Sequence, residues 1–238
     1  TGEFLLPLER KQVHLEDSLA RSRNRVRPGL DITGLLQRHV ALPRLAATTF
    51  NARFGTDRGA FTRLFRVADL RDAAAFRAVV DGLVGQIRPY RGDLLLAYVL
   101  AESDKDLEEA RDLASRGHLD HPRLILGLPR QAASFSREAM ETLALERLRS
   151  VEPPYCDPTS AEYRQVSELL ESARAALRQS FLTYLEPESL EFRHQSQTYH
   201  DLRGQGLADL VDSLISERVG SPPSPSVSAL TYLRDRGH

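Results

Sequence analysis

Two short apolar runs, each bounded by residues that interrupt regular structure, set the strongest constraint on how this chain folds. The first run is Leu94–Leu100 and the second is Leu124–Leu128. Both are too short for a buried helix, and Gly92, Pro122 and Pro129 stand at their ends. Uninterrupted apolar runs of this length are typical of strands that are covered on both faces. The sequence therefore predicts two fully buried β-strands.

A helical pattern follows each of these runs. Residues Asp104–Arg116 and Ser134–Arg149 place apolar side chains at helical spacing among charged ones. An order of strand, helix, strand and helix predicts a parallel pair of strands joined by a right-handed crossover. We therefore expect a helix-dominated α/β chain built around a small parallel βαβα unit over residues 93–150.

The flanking parts, residues 1–92 and residues 151–238, are predicted to be mainly helical. The first contains an arginine-rich arm and then three predicted helices, which are Asp31–His39, Asp57–Val67 and one from Asp69 or Asp72 to Ile87. The last two could form a helix-turn-helix, but the joint between them lacks a glycine. A plain helical bundle packed on the central unit is therefore the favoured interpretation.

The C-terminal part opens with the longest predicted helix, from Thr159 or Ser160 to Leu185. Its apolar side chains recur at spacings of three, four and seven and form one seam. The members of this seam are Tyr163, Val166, Leu169, Leu170, Ala173, Ala176, Leu177, Ser180, Phe181 and Tyr184. The helix could be a strut or a coiled-coil arm, but its aromatic residues favour packing within the molecule. The elements predicted after it are a strand (Leu190–Tyr199), a helix (Leu207–Arg218) and a last short helix (Val227–Asp235).

The charges are unevenly distributed along the chain, although the net charge of the whole is −1. Residues 1–92 carry 16 basic and 9 acidic side chains, whereas residues 93–238 carry 16 basic and 24 acidic ones. Opposite signs in the two halves indicate either a half that binds a polyanion or two halves that attract each other.

The arginines of the basic half supply the candidate nucleic-acid-binding residues. Those of the arm occupy alternate positions, which would line one side of an extended strand and could contact a phosphate backbone. Two more belong to the predicted basic helix that follows. The six candidates are Arg21, Arg23, Arg25, Arg27, Arg58 and Arg63. The arm could instead be a solvated linker, or it could clamp the acidic half of the chain.

Searches for catalytic motifs identify no active site. Neither Lys11 nor Lys105 follows a glycine, so a phosphate-binding loop is excluded, and no Gly-x-Ser-x-Gly or Gly-x-Gly-x-x-Gly motif follows a strand. The single cysteine, Cys156, has no matched base beside it in the sequence. We therefore predict no catalytic residue and no cofactor in this segment, and the sequence leaves open whether the protein is an enzyme.

Two polar clusters contain residue types that bind metal ions, but their sequence context favours other roles. His118 and His121 lie three residues apart but lack a second group of ligands, so a polar connecting loop is predicted. Glu102, Asp104 and Asp106 follow the first strand, where Mg²⁺ could bind, but they equally suit the start of the next helix. No metal site is therefore predicted.

The sequence also indicates the cellular compartment in which we expect the protein. A single cysteine fits a reducing compartment, no apolar run has the length of a membrane span, and the start does not resemble a signal peptide. We expect a cytoplasmic protein with no membrane partner. Because the chain begins without a methionine, we also expect it to be part of a longer chain or complex.

The second half resembles a known family. It contains Arg-Leu-Ile-Leu-Gly-Leu-Pro-Arg (123–130), Leu-Ala-Leu-Glu-Arg-Leu (143–148), Ser-Glu-Leu-Leu-Glu-Ser-Ala-Arg-Ala-Ala-Leu-Arg (167–178), Glu-Phe-Arg-His (191–194) and Leu-Ala-Asp-Leu-Val-Asp-Ser-Leu-Ile (207–215). In this order they resemble the region downstream of the nucleotide-binding core in large P-loop ATPases of bacterial phage-exclusion (BREX or phage growth limitation) systems. The family's Arg-Asn-Glu-Leu-type phrase after the prolines is replaced here by Ser-Ala-Leu-Thr-Tyr-Leu (228–233).

The resemblance implies a non-catalytic, DNA-engaging segment of a multidomain ATPase that acts in antiviral defence, with DNA and other defence-system proteins as partners. It transfers no ATPase residue, because the Walker motifs are absent from this chain. The alternative, which does not depend on the resemblance, is a protein–protein interaction or scaffold module that does not bind nucleic acid.

Overall fold

The chain folds into two compact units, each built from two separate segments. The computed structural model describes residues 7–42, 44–86, 93–200, 202 and 206–219. One unit, here called the helical unit, comprises residues 1–41 and 134–183. The other, here called the sheet unit, comprises residues 42–133 and 184–238. These boundaries do not coincide with the three consecutive parts that the sequence pattern suggests.

The expectation of a helix-dominated α/β chain is confirmed. The described helices are α1 (Pro7–Val26), α2 (Ile32–His39), α3 (Thr48–Phe54), α4 (Val67–Leu70), α5 (Ala73–Gln86), α6 (Asp104–Ser115), α7 (Ser136–Val151), α8 (Ala161–Tyr184) and α9 (Gly206–Val219). The described strands are β1 (Leu45–Ala46), β2 (Gly59–Arg66), β3 (Leu94–Leu100), β4 (Leu124–Pro129), β5 (Leu190–His194) and β6 (Gln197–Tyr199). The predicted helix Val227–Asp235 lies outside the described residues.

The six strands form one mixed sheet in the order β1-β2-β3-β4-β5-β6. The predicted parallel pair of buried strands is confirmed, since β3 and β4 pair in parallel and every residue of both is buried. Strand β2 extends the parallel part on the other side of β3, while β1, β5 and β6 pair antiparallel with their neighbours. The parallel unit therefore has three strands rather than two.

The predicted helix over Asp57–Val67 is wrong, because Gly59–Arg66 forms strand β2. Phe61, Leu64 and Phe65 stand at helical spacing, but a strand that buries residues on both faces gives the same pattern. Parallel pairing with β3 from one end of the strand to the other decides the outcome. The helix-turn-helix interpretation, which needed a helix at this position, is therefore also wrong.

Helices α4, α5 and α6 share an apolar core with one face of the sheet. Alternate residues of β3 and β4 point into this core, as the period of a strand requires. Its members include Phe76 and Val80 of α5, Leu107 of α6, and Leu95 and Leu126 of the sheet. Phe76 also packs edge-to-face on Phe65 of β2, with ring centroids 5.2 Å apart. These contacts hold the three parallel strands together.

Two polar side chains of the sheet unit, Tyr184 and Asp212, form hydrogen bonds with the backbone of other elements. The Tyr184 hydroxyl donates to Val99 O at 2.9 Å and accepts the Ala101 N–H at 3.0 Å, where β3 ends. Burial raises the pKa of this hydroxyl above its ordinary value, so it remains a donor. In α9, the Asp212 carboxylate accepts the N–H groups of Thr49 and Phe50, each at 3.0 Å, and so caps the start of α3.

The helical unit has a core of its own between α1, α7 and α8. Leu15 and Leu19 of α1, Leu145 of α7, and Val166 and Leu170 of α8 belong to one buried cluster. The prediction that the longest helix packs within the molecule is confirmed by the burial of these α8 side chains. The predicted single strand over Leu190–Tyr199 is instead the hairpin of β5 and β6, which turns at a residue of positive φ.

Candidate functional site

The arginine-rich arm is helical, so the prediction of an extended basic strip is wrong. Helix α1 continues to Val26, and a 3₁₀ turn covers Arg27–Gly29. In an α-helix successive residues are rotated by about 100°, so that alternate residues point to nearly opposite sides. The four arm arginines therefore do not line a single side of the chain.

Two of the arm arginines are engaged by glutamates of their own unit. The Arg21 guanidinium lies 3.4 Å from Glu152, and Arg23 contacts Glu141 through Nε at 2.8 Å and Nη2 at 2.5 Å. Arg25 and Arg27 are exposed and have no ion pair with any residue that the structure describes. Only this second pair of arginines is therefore accessible without breaking an internal contact.

The remaining candidates belong to the sheet unit and are not equivalent to each other. Arg63 is an exposed residue of β2. The Arg58 side chain is only 17% exposed, and its Nη1 lies 3.6 Å from Asp93 Oδ1. Arg44 approaches the other oxygen of Asp93 at 3.8 Å and also pairs with Asp57. Arg58 therefore neutralises a carboxylate beside it, which the sequence pattern did not indicate.

Asp93 is the most buried charged group that the structure describes, with 0% exposure immediately before β3. Burial raises the pKa of its carboxyl above the ordinary value, and the attraction of Arg58 and Arg44 opposes that rise. Neither carboxylate oxygen has a hydrogen-bond partner at ordinary length among the described residues. Asp93 and its two arginines form a charge cluster in which the carboxylate is fully buried and the arginine side chains are partly exposed.

The uneven distribution of charge along the sequence does not persist in the folded units. Among the described residues, the arginine–carboxylate pairs that join positions 1–92 to positions 93–238 are Arg21–Glu152, Arg23–Glu141, Arg44–Asp93, Arg58–Asp93 and Arg71–Glu109. The helical unit carries 13 basic and 13 acidic residues, and the sheet unit carries 19 and 20. Each unit is therefore close to neutral.

The polar clusters considered as metal sites have structural partners. Ser103 caps α6 by accepting the Asp106 N–H at 3.2 Å, in agreement with the capping interpretation. His121 accepts the Arg123 N–H on Nδ1 at 3.1 Å, and its Nε2 lies 3.0 Å from Asp81 Oδ1. Within the described ranges, no group of three or more His, Cys, Asp or Glu side chains is placed to hold a metal ion. None of the described helices is long and apolar enough to cross a membrane.

A groove in the helical unit was not anticipated from the sequence. It encloses about 940 Å³ between the end of α1, the first turns of α7 and the middle of α8. Its lining consists of Arg23, Ser136, Arg137, Glu138, Met140, Glu141, Ala173 and Ala176. The sequence contained one indication of this groove. The apolar seam on α8 has more apolar residues than one buried face requires, so part of the seam could be expected to stay uncovered.

The exposed part of that seam leads into the groove. Leu169 is 41% exposed, although it is a large apolar residue in the middle of a helix. Ala176, which lines the groove, lies seven residues further on and therefore on the same face of α8. Leu169, Ala173 and Ala176 are spaced by four and then three residues, which is the spacing of a helix–helix seam. The structure thus leaves part of the apolar face of α8 open.

One of the residues that line the groove has a polar atom without a hydrogen-bond partner among the described residues. Glu138 lies in the first turn of α7, and its Oε2 atom is buried without a hydrogen bond to any described residue. Glu141, the other acidic residue of the lining, is already paired with Arg23. Because the Oε2 atom of Glu138 is shielded from solvent, it is not part of the surface that the groove presents.

Comparisons with protein-family models, with curated proteins and with solved structures give no match. The resemblance to phage-exclusion ATPases therefore stays a prediction from the sequence. The functional argument that follows depends on the geometry of the chain itself.

Proposed function

We propose that this chain is a non-catalytic protein-interaction module, and that the groove between α1, α7 and α8 is its docking surface. The observation that carries the proposal is the open apolar face of α8, which continues from Leu169 into the groove at Ala176. Apolar faces that a fold leaves uncovered beside a concave surface are typical of sites that bind another protein.

The arrangement of charge favours this function over polyanion binding as the main role. Arg21, Arg23 and Arg58 neutralise carboxylates of their own units, and each unit has nearly equal numbers of basic and acidic residues. A polyanion site would need a surface with a clear excess of positive charge. In the phage-exclusion ATPases that the sequence resembles, a module of this kind would hold a neighbouring protein of the defence system.

Substitutions of two adjacent alanines test the docking function. A displayed library of helical peptides with random surface positions is selected on the whole chain, and the enriched peptides are then tested on Ala176→Arg and Ala175→Arg. We expect most of them to lose at least about tenfold in affinity on Ala176→Arg, because a long cation then projects into the groove. Binding to Ala175→Arg should be unchanged, since this exposed residue of α8 does not line the groove.

The two variants also provide the control, because the same side chain is introduced at two adjacent exposed positions of α8. Melting temperatures within a few degrees of each other would exclude a difference in folding. Enriched peptides that bind both variants as well as the original chain would refute the proposed docking surface.

Nucleic-acid binding is the second candidate function, and the exposure of Arg25 and Arg27 favours it. They have no ion-pair partner among the residues that the structure describes, and they lie in the last turn of α1 (Arg25) and in the 3₁₀ turn that follows it (Arg27). If both contact phosphates, changing them to alanine should reduce the slope of log affinity against log salt by about 1.8 for a DNA duplex. Fluorescence anisotropy of a labelled duplex across a salt series measures this slope.

The matched control for this experiment changes Arg21 and Arg23, which are already paired with Glu152 and Glu141. It removes the same number of positive charges from the same arginine-rich segment. Equal effects of the two double variants would indicate a general effect of net charge. The absence of binding at about 50 mM salt, where phosphate contacts are strong, would exclude this function.

A further inference from the structure

We infer that Arg123 and Arg218 form a binding site for a terminal phosphate group, which is a phosphate that carries up to two negative charges. Both residues belong to the sheet unit, whereas the groove belongs to the helical unit, so this site is independent of the docking function. Two features indicate it, which are the restraint of both guanidinium groups by the backbone and the lack of a carboxylate that neutralises either of them.

Backbone carbonyl groups hold the two guanidinium groups where β3 and β4 begin. Arg123 directly precedes β4, and its Nε donates at 2.9 Å to the carbonyl oxygen of Asp93, the residue before β3. Arg218 lies in the last turn of α9, and its Nη1 donates to the carbonyl oxygen of Pro122, the residue before Arg123. Each bond restrains one of the side chains, so less conformational entropy is lost when a ligand binds.

Neither guanidinium group has a carboxylate partner among the described residues, and the two repel each other. Burial lowers the pKa of Arg123 below its ordinary value, the positive charge of Arg218 lowers it further, and the charge of Asp93 opposes both effects. The Asp93 carboxylate is already shared by Arg44 and Arg58, which lie 3.8 and 3.6 Å from its oxygens. The fold therefore leaves positive charge on Arg123 and Arg218 without a neutralising partner.

Two further carboxylates adjoin the pair but are engaged by other groups. Asp81 Oδ1 lies 3.0 Å from Nε2 of His121, and Nδ1 of the same histidine accepts the Arg123 N–H at 3.1 Å. Glu217 precedes Arg218 in the sequence, and its Oε1 accepts the hydroxyl group of a serine one turn earlier in α9 at 3.3 Å. In the described part of the chain, neither carboxylate forms an ion pair with the two arginines.

The remaining donors of both side chains are open to a ligand. Arg218 is exposed and Arg123 is partly exposed. The two terminal nitrogens of Arg123 form no hydrogen bond with a described residue and are not buried. A phosphate monoester has three acceptor oxygens and carries about −1.5 to −2 charge at pH 7. It therefore suits two guanidinium groups better than a carboxylate or a phosphodiester, each of which carries a single charge.

Titration calorimetry on the whole chain at low ionic strength tests this site with methyl phosphate and dimethyl phosphate. Methyl phosphate is a monoester, whereas dimethyl phosphate carries the single charge of a phosphodiester, so we expect it to bind at least about tenfold more weakly. We expect Arg218→Gln to weaken the binding of methyl phosphate by about 10- to 100-fold, because it removes hydrogen bonds between charged groups. Arg77→Gln is the matched control and should leave this affinity unchanged, since Arg77 is exposed on α5 of the same unit and has no ion pair with a described residue.

Arg123→Gln should weaken binding as Arg218→Gln does, and melting temperatures within a few degrees of the original chain would exclude a difference in folding. The inference is refuted if methyl phosphate does not bind, if it binds Arg218→Gln and Arg77→Gln equally well, or if dimethyl phosphate binds as tightly. Inorganic phosphate is the third probe. Whichever of inorganic phosphate and methyl phosphate binds more tightly identifies the free ion or an ester as the ligand.

Discussion

The change Asp212→Ala is expected to lower the free energy of unfolding by about 3 kcal/mol. The Asp212 carboxylate is 9% exposed and accepts two backbone N–H groups at the start of α3. Hydrogen bonds to a charged group contribute about 1.5–3 kcal/mol each, and α3 has no side-chain cap of its own. The variant leaves the N–H of Phe50, which is buried, without an acceptor, and it removes both hydrogen bonds from Asp212 of α9 to the start of α3.

Urea denaturation monitored by circular dichroism measures this loss, and two further variants interpret it. Asp212→Asn keeps one acceptor oxygen and should lose about half as much. Asp209→Ala removes an exposed carboxylate from the same helix and should change stability by less than about 0.5 kcal/mol. A loss for Asp212→Ala as small as that of Asp209→Ala would show that the cap does not stabilise the fold.

The elements of the sheet were predictable where the sequence pattern had a single interpretation. The runs Leu94–Leu100 and Leu124–Leu128 are short, apolar and bounded by breakers, and both lie in buried strands. Strand β2 was missed, because Phe61, Leu64 and Phe65 fit a helix as well as they fit a strand buried on both faces. Its partner β3 lies some 30 residues away in the sequence. Pairing over this separation is a tertiary contact, and the local periodicity of the sequence does not predict it.

The candidate site was predictable only in part, for a similar reason. The alternation of Arg21, Arg23, Arg25 and Arg27 indicated a strand, yet packing of α1 on α7 makes the segment helical. The glutamate that engages Arg21 is 131 residues away, so no local pattern could reveal the pair. The groove could have been anticipated more easily from the sequence. The predicted apolar seam on α8 contained Leu169 and Ala176 in addition to the residues that are buried in the structure.

The change Arg58→Met is expected to lower the free energy of unfolding by about 3 kcal/mol at pH 7. Removing one partner of a buried ion pair leaves the other charge uncompensated and typically costs about 3–5 kcal/mol. Asp93 is fully buried, and Arg58 is the nearer of its two arginines at 3.6 Å, compared with 3.8 Å for Arg44. The low end of the range applies because Arg44 remains beside the carboxylate.

The double variant Arg58→Met, Asp93→Asn should recover most of this loss, because no buried charge is then left without a partner. The pH dependence provides a second check. The folded state raises the pKa of Asp93 above 3.8 and so holds the proton more tightly than the unfolded state. The resulting stabilisation is complete below pH 3.8 and is lost as the pH rises through the folded-state pKa.

Removing Arg58 raises the pKa of Asp93 further, so the cost of Arg58→Met should be smaller near pH 4 than at pH 7. Denaturation at several pH values measures this cost against the original chain. In the Asp93→Asn background, the cost of Arg58→Met should not vary with pH over the same interval, because the titrating group is absent. A cost that is equal at both pH values in the original background would mean that Arg58 stabilises the fold through packing of its aliphatic stem, and that Asp93 is not its electrostatic partner.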